Sequence, residues 1–215
     1  MRMRKLKHLE ERQARCPELW ITDPAALRGS WRSLQPEAGA LWLEIGCGKG
    51  KFTAELAQAH PEVLLLAMER VPEAHVMAME RARDMGVTNA RYLIEDADRL
   101  DRCFAPGELD RIYLNFSDPW PANRHARRRL THRDFLERYA RALAPGGRLC
   151  IKTDNQGLFD FTLYELEMTG WEVYDVTRDL HQNGPVGIMT GYEEKFVAQG
   201  VPICRLEAAY RGGTV

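Results

Sequence analysis

The chain has 215 residues, 45% apolar and 28% charged, with a formal net charge of −1. That length suits one domain with a substantial core, or one domain with an appendage, and the composition is ordinary for a soluble globular protein. The longest purely apolar run, Val63–Met68 (VLLLAM), is far short of the roughly 20 residues a membrane span needs, the N-terminus lacks the apolar stretch of a secretory signal, and five scattered cysteines without a CxxC pair favour reduced thiols in a cytoplasmic setting over a disulfide frame or a zinc site.

Residues 1–15 carry six Lys or Arg and two Glu, net +4. Residues 1–30 are read as a basic N-terminal arm or helix, and 31–215 as a single domain. Ala40–Ile45 (ALWLEI) predicts a buried strand, followed by a glycine loop. Lys51–His60 predicts a helix with Phe52, Leu56 and Ala59 on one face, stopped by Pro61. Val63–Glu69 is a second strand, and Pro72 opens a helix that runs to Met85 and stops at Gly86. Arg91–Glu95, Arg111–Phe116 and Arg148–Thr153 are further strands. Arg133–Leu143 is a helix closed by PGG, and Leu158–Thr169 is one stopped by Gly170. Trp171–Val176 and Ile203–Tyr210 read as two late strands with no long helix directly pairing them.

Alternating strands and helices imply an α/β fold with a parallel sheet covered on both faces. Ligands then sit beyond the C-terminal ends of the strands, where this chain places Glu44, Glu69, Asp96, Asp118 and Asp154. The loop in LEIGCGKG is spaced GxGxG rather than the GxGxxG of dinucleotide-binding proteins. Glu44 in front of it would repel a pyrophosphate but suits a donor with a cationic group and no phosphate, such as S-adenosylmethionine. Glu69 can accept from two ribose hydroxyls and Asp96 from the adenine amine. Residues 40–155 therefore resemble the class I methyltransferases, whose first motif is an acid followed by xGxGxG. The resemblance implies a Rossmann-like fold with a mostly parallel seven-stranded sheet and helices on both faces.

SDPWP (117–121) is a cousin of the D/N-P-P-Y loop of exocyclic-amine methyltransferases, in which proline-fixed carbonyls take hydrogen bonds from the amine. Trp120 either stacks on a base or packs the loop down. The whole run NFSDPWPANRHARRRL (115–130) strongly resembles the NFxDPWPKxRHxKRRL signature of bacterial tRNA (guanine-N7)-methyltransferases. KTDN (152–155), DLH (179–181) and TGYEEKF (190–196) resemble further signatures of that family. The resemblance implies methylation of guanine N7 at position 46 in the tRNA variable loop, with S-adenosyl-L-methionine as donor and tRNA as partner. It assigns Glu44, Gly46, Gly48, Glu69, Asp96 and Asp118 to the donor site and makes Asp118 catalytic. Asp154, Thr190, Tyr192 and Glu193 fall on the substrate side. Where the family carries Lys after DPWP, this chain has Ala122, so one substrate contact is either missing or supplied by a neighbour such as Arg124.

Guanine N7 has a free lone pair, so no proton must leave before attack and no strong general base is needed. Asp118 and one of Asp154 or Glu193 are expected to grip the N1–H and N2 amine of guanine. Arg124, Arg127, Arg128 and Arg129 are spaced to track a phosphate backbone; three such contacts imply a log–log salt slope of roughly −2 to −3. His125, His132 and His181 form no ligand pair, so no metal is expected. A methyltransferase of another nucleic-acid or protein amine, a nicotinamide dehydrogenase and a non-catalytic RNA-binding module are the rival readings, and monomer and homodimer stand equally open.

Overall fold

In a computed structural model that describes residues 5–212, strands and helices alternate through two units, Met1–Ala105 and Pro106–Val215. The first unit contains α1 (Leu9–Gln13), β1 (Trp20–Ile21), β2 (Ala40–Ile45), α2 (Lys51–Ala59), β3 (Val63–Met68), α3 (Pro72–Asp84), β4 (Ala90–Leu93) and α4 (Leu100–Cys103). Its strands are all parallel, in the order β1-β4-β3-β2. The two-residue β1 adds an eighth strand to the seven expected. Two residues are too few to show a period, which is why the sequence hides it. β3 is buried at every position, as a strand covered on both faces must be, and so VLLLAM shows no alternation. In α2 the buried face is Phe52, Thr53, Ala54, Leu56 and Ala57; Ala59, expected on that face, is exposed at the frayed end before Pro61.

Much of the segment expected as an arm packs into this unit, although residues 1–4 lie outside the described ones. Arg12 of α1 forks onto Glu80 of α3, Nε to Oε1 at 2.7 Å and Nη2 to Oε2 at 2.5 Å. Trp31 is fully buried, donates its indole N–H to the Cys103 carbonyl at 2.8 Å and stacks on Phe104. The exposed charges of residues 5–15 therefore start from an anchored helix.

The second unit contains β5 (Leu109–Asn115), α5 (Arg133–Ala142), β6 (Leu143–Thr153), α6 (Gln156–Met168), β7 (Trp171–Thr177), α7 (Gly191–Ala198) and β8 (Cys204–Tyr210). The order is β5-β6-β8-β7, with β5 and β6 parallel and β8 antiparallel to both its neighbours. α7 stands between the two late strands. Its sequence signal is a capping box: Thr190 Oγ1 accepts from the Glu193 N–H at 3.0 Å, and Glu193 Oε2 accepts from the Thr190 N–H at 3.1 Å.

Gly50 shows what the third glycine of GxGxG does. It begins α2 with φ 72°, and a Cβ there would lie 2.6 Å from the Cβ of Ala78 on α3. It is a packing glycine that lets two segments approach. Gly50→Ala is expected to lower stability by about 2–4 kcal/mol, from overpacking plus a left-handed backbone, read as a lower urea midpoint with unchanged slope.

Candidate active site

The parallel strands of each unit deliver carboxylates just at or beyond their C-terminal ends. In the first unit Glu44, 2% exposed near the end of β2, accepts a short hydrogen bond from Thr53 Oγ1 in the first turn of α2. Glu69 follows β3 directly and is 8% exposed. Its Oε2 accepts from the Gly48 N–H at 2.9 Å and its Oε1 from the Val71 N–H at 2.9 Å. One carboxylate thus ties the glycine loop to the entry of α3. Each oxygen keeps a second lone pair, so hydroxyl donors of a ligand can still be accepted. Gly46 and Gly48 have φ of 79° and 55°, and a Cβ on either would meet nothing within 4 Å. Unlike Gly50, they leave open space along the loop. The setting is electronegative: burial, then the charges of Glu44 and Glu69, push the Cys47 thiol well up. Asp96, half-exposed after β4, caps the turn Ala97–Arg99, with Arg70 4.0 Å away. Its neighbour Glu95 is turned to the Asp96 N–H and toward Arg99.

In the second unit the DPWP loop follows β5, and Asp118 is exposed on it. Phe116 and Trp120 take left-handed backbones, φ 54° and 41°. Trp120 is half-buried, with the Arg128 guanidinium 4.8 Å from its ring centroid and the His125 ring edge-on at 5.8 Å. It packs the loop down, and Arg128 covers one face. Arg129, expected to track phosphates, is 8% exposed and turned inward. Its Nε donates to the Pro119 carbonyl at 3.1 Å and its Nη2 to the Trp120 carbonyl at 3.0 Å. Arg124, Arg127 and Arg128 remain exposed, and Arg124 Nε bonds the His125 ring at 3.3 Å.

KTDN sorts itself by partner. Lys152 Nζ donates to both oxygens of Glu193, at 2.9 and 3.1 Å, and to the Ile188 carbonyl. Thr153 Oγ1 accepts from the Asn155 N–H, and Asn155 Oδ1 caps α6 at the Leu158 N–H. Asp154 is half-buried and, among the described residues, has no hydrogen-bond or ion-pair partner. It is the acid left over at the end of β6. Glu193, expected beside it on the base, is 0% exposed. Besides Lys152 it takes His181 Nε2 at 2.9 Å, while the Val186 N–H donates to His181 Nδ1. The proton of a neutral His181 therefore sits on Nε2. Thr190 and Glu193 hold α7 in place through the cap and this cluster, and Tyr192 between them is 57% exposed, ringed by Phe196 and Lys195. No sequence pattern flagged Lys152 or Arg129 as holders. Among the described residues, no group of three or more His, Cys, Asp and Glu is placed to hold a metal ion, and no helix is long and apolar enough to cross a membrane.

Residues 38–206 match the family described as "Putative methyltransferase". The tRNA (guanine-N(7)-)-methyltransferase of Geobacillus kaustophilus (strain HTA426) is 45% identical over 209 residues, 97% of this chain and 96% of that protein. The chain belongs to the bacterial tRNA (guanine-N7)-methyltransferase family. Solved structures share the Rossmann-like class I methyltransferase fold. The 16S rRNA methyltransferase KamB is similar with a TM-score of 0.63 and 17% identity, over 83% of this chain and 91% of that one. A mutant 16S rRNA (adenine(1408)-N(1))-methyltransferase of Catenulisporales acidiphilia, solved with its cosubstrate SAM, gives 0.63 and 18% over 90% and 93%.

The second unit of this family member also holds a titratable clamp. Glu165 on α6 receives the Arg133 backbone N–H and both arms of its guanidinium, at 2.8–3.0 Å. The Arg133 hydrogen bond is the main cause that holds the Glu165 carboxyl below its ordinary 4.5. The unfolded chain thus binds a proton more readily than the folded one. The clamp's stabilisation is complete above pH 4.5 and is lost as pH falls through the depressed folded value. Glu165→Gln is expected to lower the urea midpoint at pH 7 and to make it fall less than wild type between pH 6 and pH 3.

Proposed function

We propose that the chain transfers a methyl group from S-adenosylmethionine to N7 of guanine at position 46 of tRNA, forming 7-methylguanosine. The first unit fits such a donor: Gly46 and Gly48 leave open space beside two buried carboxylates. Glu44 and the electronegative loop favour the cationic portion, Glu69 accepts from the ribose hydroxyls, and Asp96 accepts from the adenine amine. Bound there, S-adenosylmethionine supplies a methyl carbon made electrophilic by its sulfonium.

Everything else is work for the chain's own residues. Asp118 and Asp154 hold guanine by its N1–H and N2 amine, which adenine lacks as a pair. Methylation of N7 leaves positive charge on the base, and the same two carboxylates stabilise it. Alignment rather than proton removal carries the rate; in favourable intramolecular systems such positioning is worth roughly 7–11 kcal/mol. Tyr192 offers an exposed ring against which RNA can stack. Arg124, Arg127 and Arg128 contact phosphates, with Arg124 standing in for the lysine absent at Ala122. Reaching N7 requires the base to leave its tertiary stack.

The observation that supports the N7 reading over an exocyclic amine is the 45% identity, across 97% of the chain, to a protein named tRNA (guanine-N(7)-)-methyltransferase. The reading needs no proton acceptor on the DPWP loop, because N7 attacks with a bare lone pair.

Incubation with labelled donor and separate tRNA, DNA and protein pools, followed by nucleoside mass spectrometry, is expected to show 7-methylguanosine in tRNA alone. Label appearing only in protein or DNA would overturn the reading. Asp154→Asn, which turns an acceptor oxygen into a donor opposite guanine, is expected to slow methylation roughly ten- to a hundredfold, with donor affinity unchanged.

A further inference from the structure

Arg129 is a buried cation that methyl transfer does not itself require. The residue is 8% exposed, and its Nε is shared between the Pro119 and Trp120 carbonyls at 3.1 and 3.3 Å. Nη2 adds a second bond to Trp120 at 3.0 Å, and the plane lies 4.3 Å from the Phe161 ring centroid on α6. Among the described residues no carboxylate pairs with it. Desolvating an arginine against two main-chain carbonyls and a phenyl ring is costly, so the contact is expected where the loop's conformation matters.

That loop is unusual in a second way. Two non-glycine residues within five positions, Phe116 and Trp120, have φ of 54° and 41°. Such backbones persist only where the surroundings over-determine them. Phe116 is held by its N–H to the Lys152 carbonyl at 2.8 Å and by its ring against Phe196 on α7. At the other end, Arg129 holds Trp120. Asp118 sits between these two fixed points.

We propose that Arg129 is a positioning residue for methyl transfer: its fork onto the Pro119 and Trp120 carbonyls locks the DPWP loop and so sets the Asp118 carboxylate against the base. This rests on the N7-guanine reading. In that reaction the methyl–sulfur bond breaks, the N7–carbon bond forms, the thioether leaves neutral and the base takes the positive charge; no proton moves. Arg129 then acts only through geometry, by preorganising a negative group that stabilises the charge on the base. Its side chain is turned inward, which separates it from the exposed Arg124, Arg127 and Arg128 in the same run.

The experiment compares wild type with Arg129→Met, which keeps the stem and loses the donors, and Arg129→Lys, which keeps one cation but not the fork. Single-turnover methylation of tRNA at saturating donor gives the rate, and filter binding across salt concentrations gives tRNA affinity and its slope. Arg129→Met is expected to lose at least tenfold in rate, with donor affinity and salt slope unchanged, and Arg129→Lys to recover at least threefold of that loss. A wild-type rate in Arg129→Met overturns the proposal. So does a loss seen only as weaker tRNA binding with a slope smaller by about 0.7–0.9, the mark of one phosphate contact. If Arg129→Met does not fold, Arg129→Lys decides: a slowed rate with unchanged slope supports the proposal, and a wild-type rate overturns it. Wild-type enzyme that forms no 7-methylguanosine would defeat the N7 reading itself, whereas a full rate in the folded variants defeats only the role of Arg129.

Discussion

The carboxylate of Glu69 is the constraint on which the first unit depends. Its two oxygens take the N–H groups of Gly48 and Val71, so one side chain fixes both the glycine loop and the start of α3. The loop turns through left-handed residues at Gly46, Gly48 and Gly50, and its Gly46, Cys47 and Gly50 N–H groups go to backbone carbonyls. A buried acid just after β3 takes the remaining Gly48 N–H. The same acid makes the ligand end of the unit negative, together with Glu44 held by Thr53. One group therefore shapes the loop and, under the proposed function, helps select the donor. A pyrophosphate cofactor would face two carboxylates. An onium donor with free ribose hydroxyls meets acceptors.

The second unit solves a related problem with ion clusters. Lys152 pairs with the buried Glu193, which also takes a hydrogen bond from His181, and the exposed Arg133 pairs with the buried Glu165. An ion pair on a buried acid adds little net stability but fixes which surfaces meet, because removing the cation strands the acid. Here the clusters fasten α7 to β6 and α5 to α6. With Glu193 and Glu165 paired, Asp154 is one half-buried carboxylate without a hydrogen-bond or ion-pair partner among the described residues, and Asp118 is exposed on its loop. Glu193 and Glu165 are thus acids that hold the structure, and Asp118 and Asp154 are the ones the proposed function assigns to the base.

Much of this was legible beforehand. β2, β3 and α3 announce themselves by a buried apolar run, Pro72 and Gly86, and the acids fall at strand ends because those elements end where they do. Gly46 and Gly48 follow β2 and Glu69 follows β3 for that reason, while Glu44 lies inside β2, one residue before its end. What the sequence concealed is pairing at long range. Lys152 meets Glu193 across 41 residues and Arg133 meets Glu165 across 32, and no local pattern says which acid in a motif will be spent internally. Arg129 lies among arginines that differ from it only in burial, a property of the folded loop. The short β1 and the eight-residue α7 escaped because one is too brief for periodicity and the other opens on glycine; only the Thr190–Glu193 spacing marked its start.

The account stands on the first unit selecting its donor by charge, and calorimetric titration of the full-length chain with S-adenosylmethionine and, separately, NAD tests that most directly. Saturable binding of S-adenosylmethionine, absence of NAD binding, and weakened donor binding in Glu69→Gln are the predicted results. Tight binding of NAD with no heat from S-adenosylmethionine would contradict it.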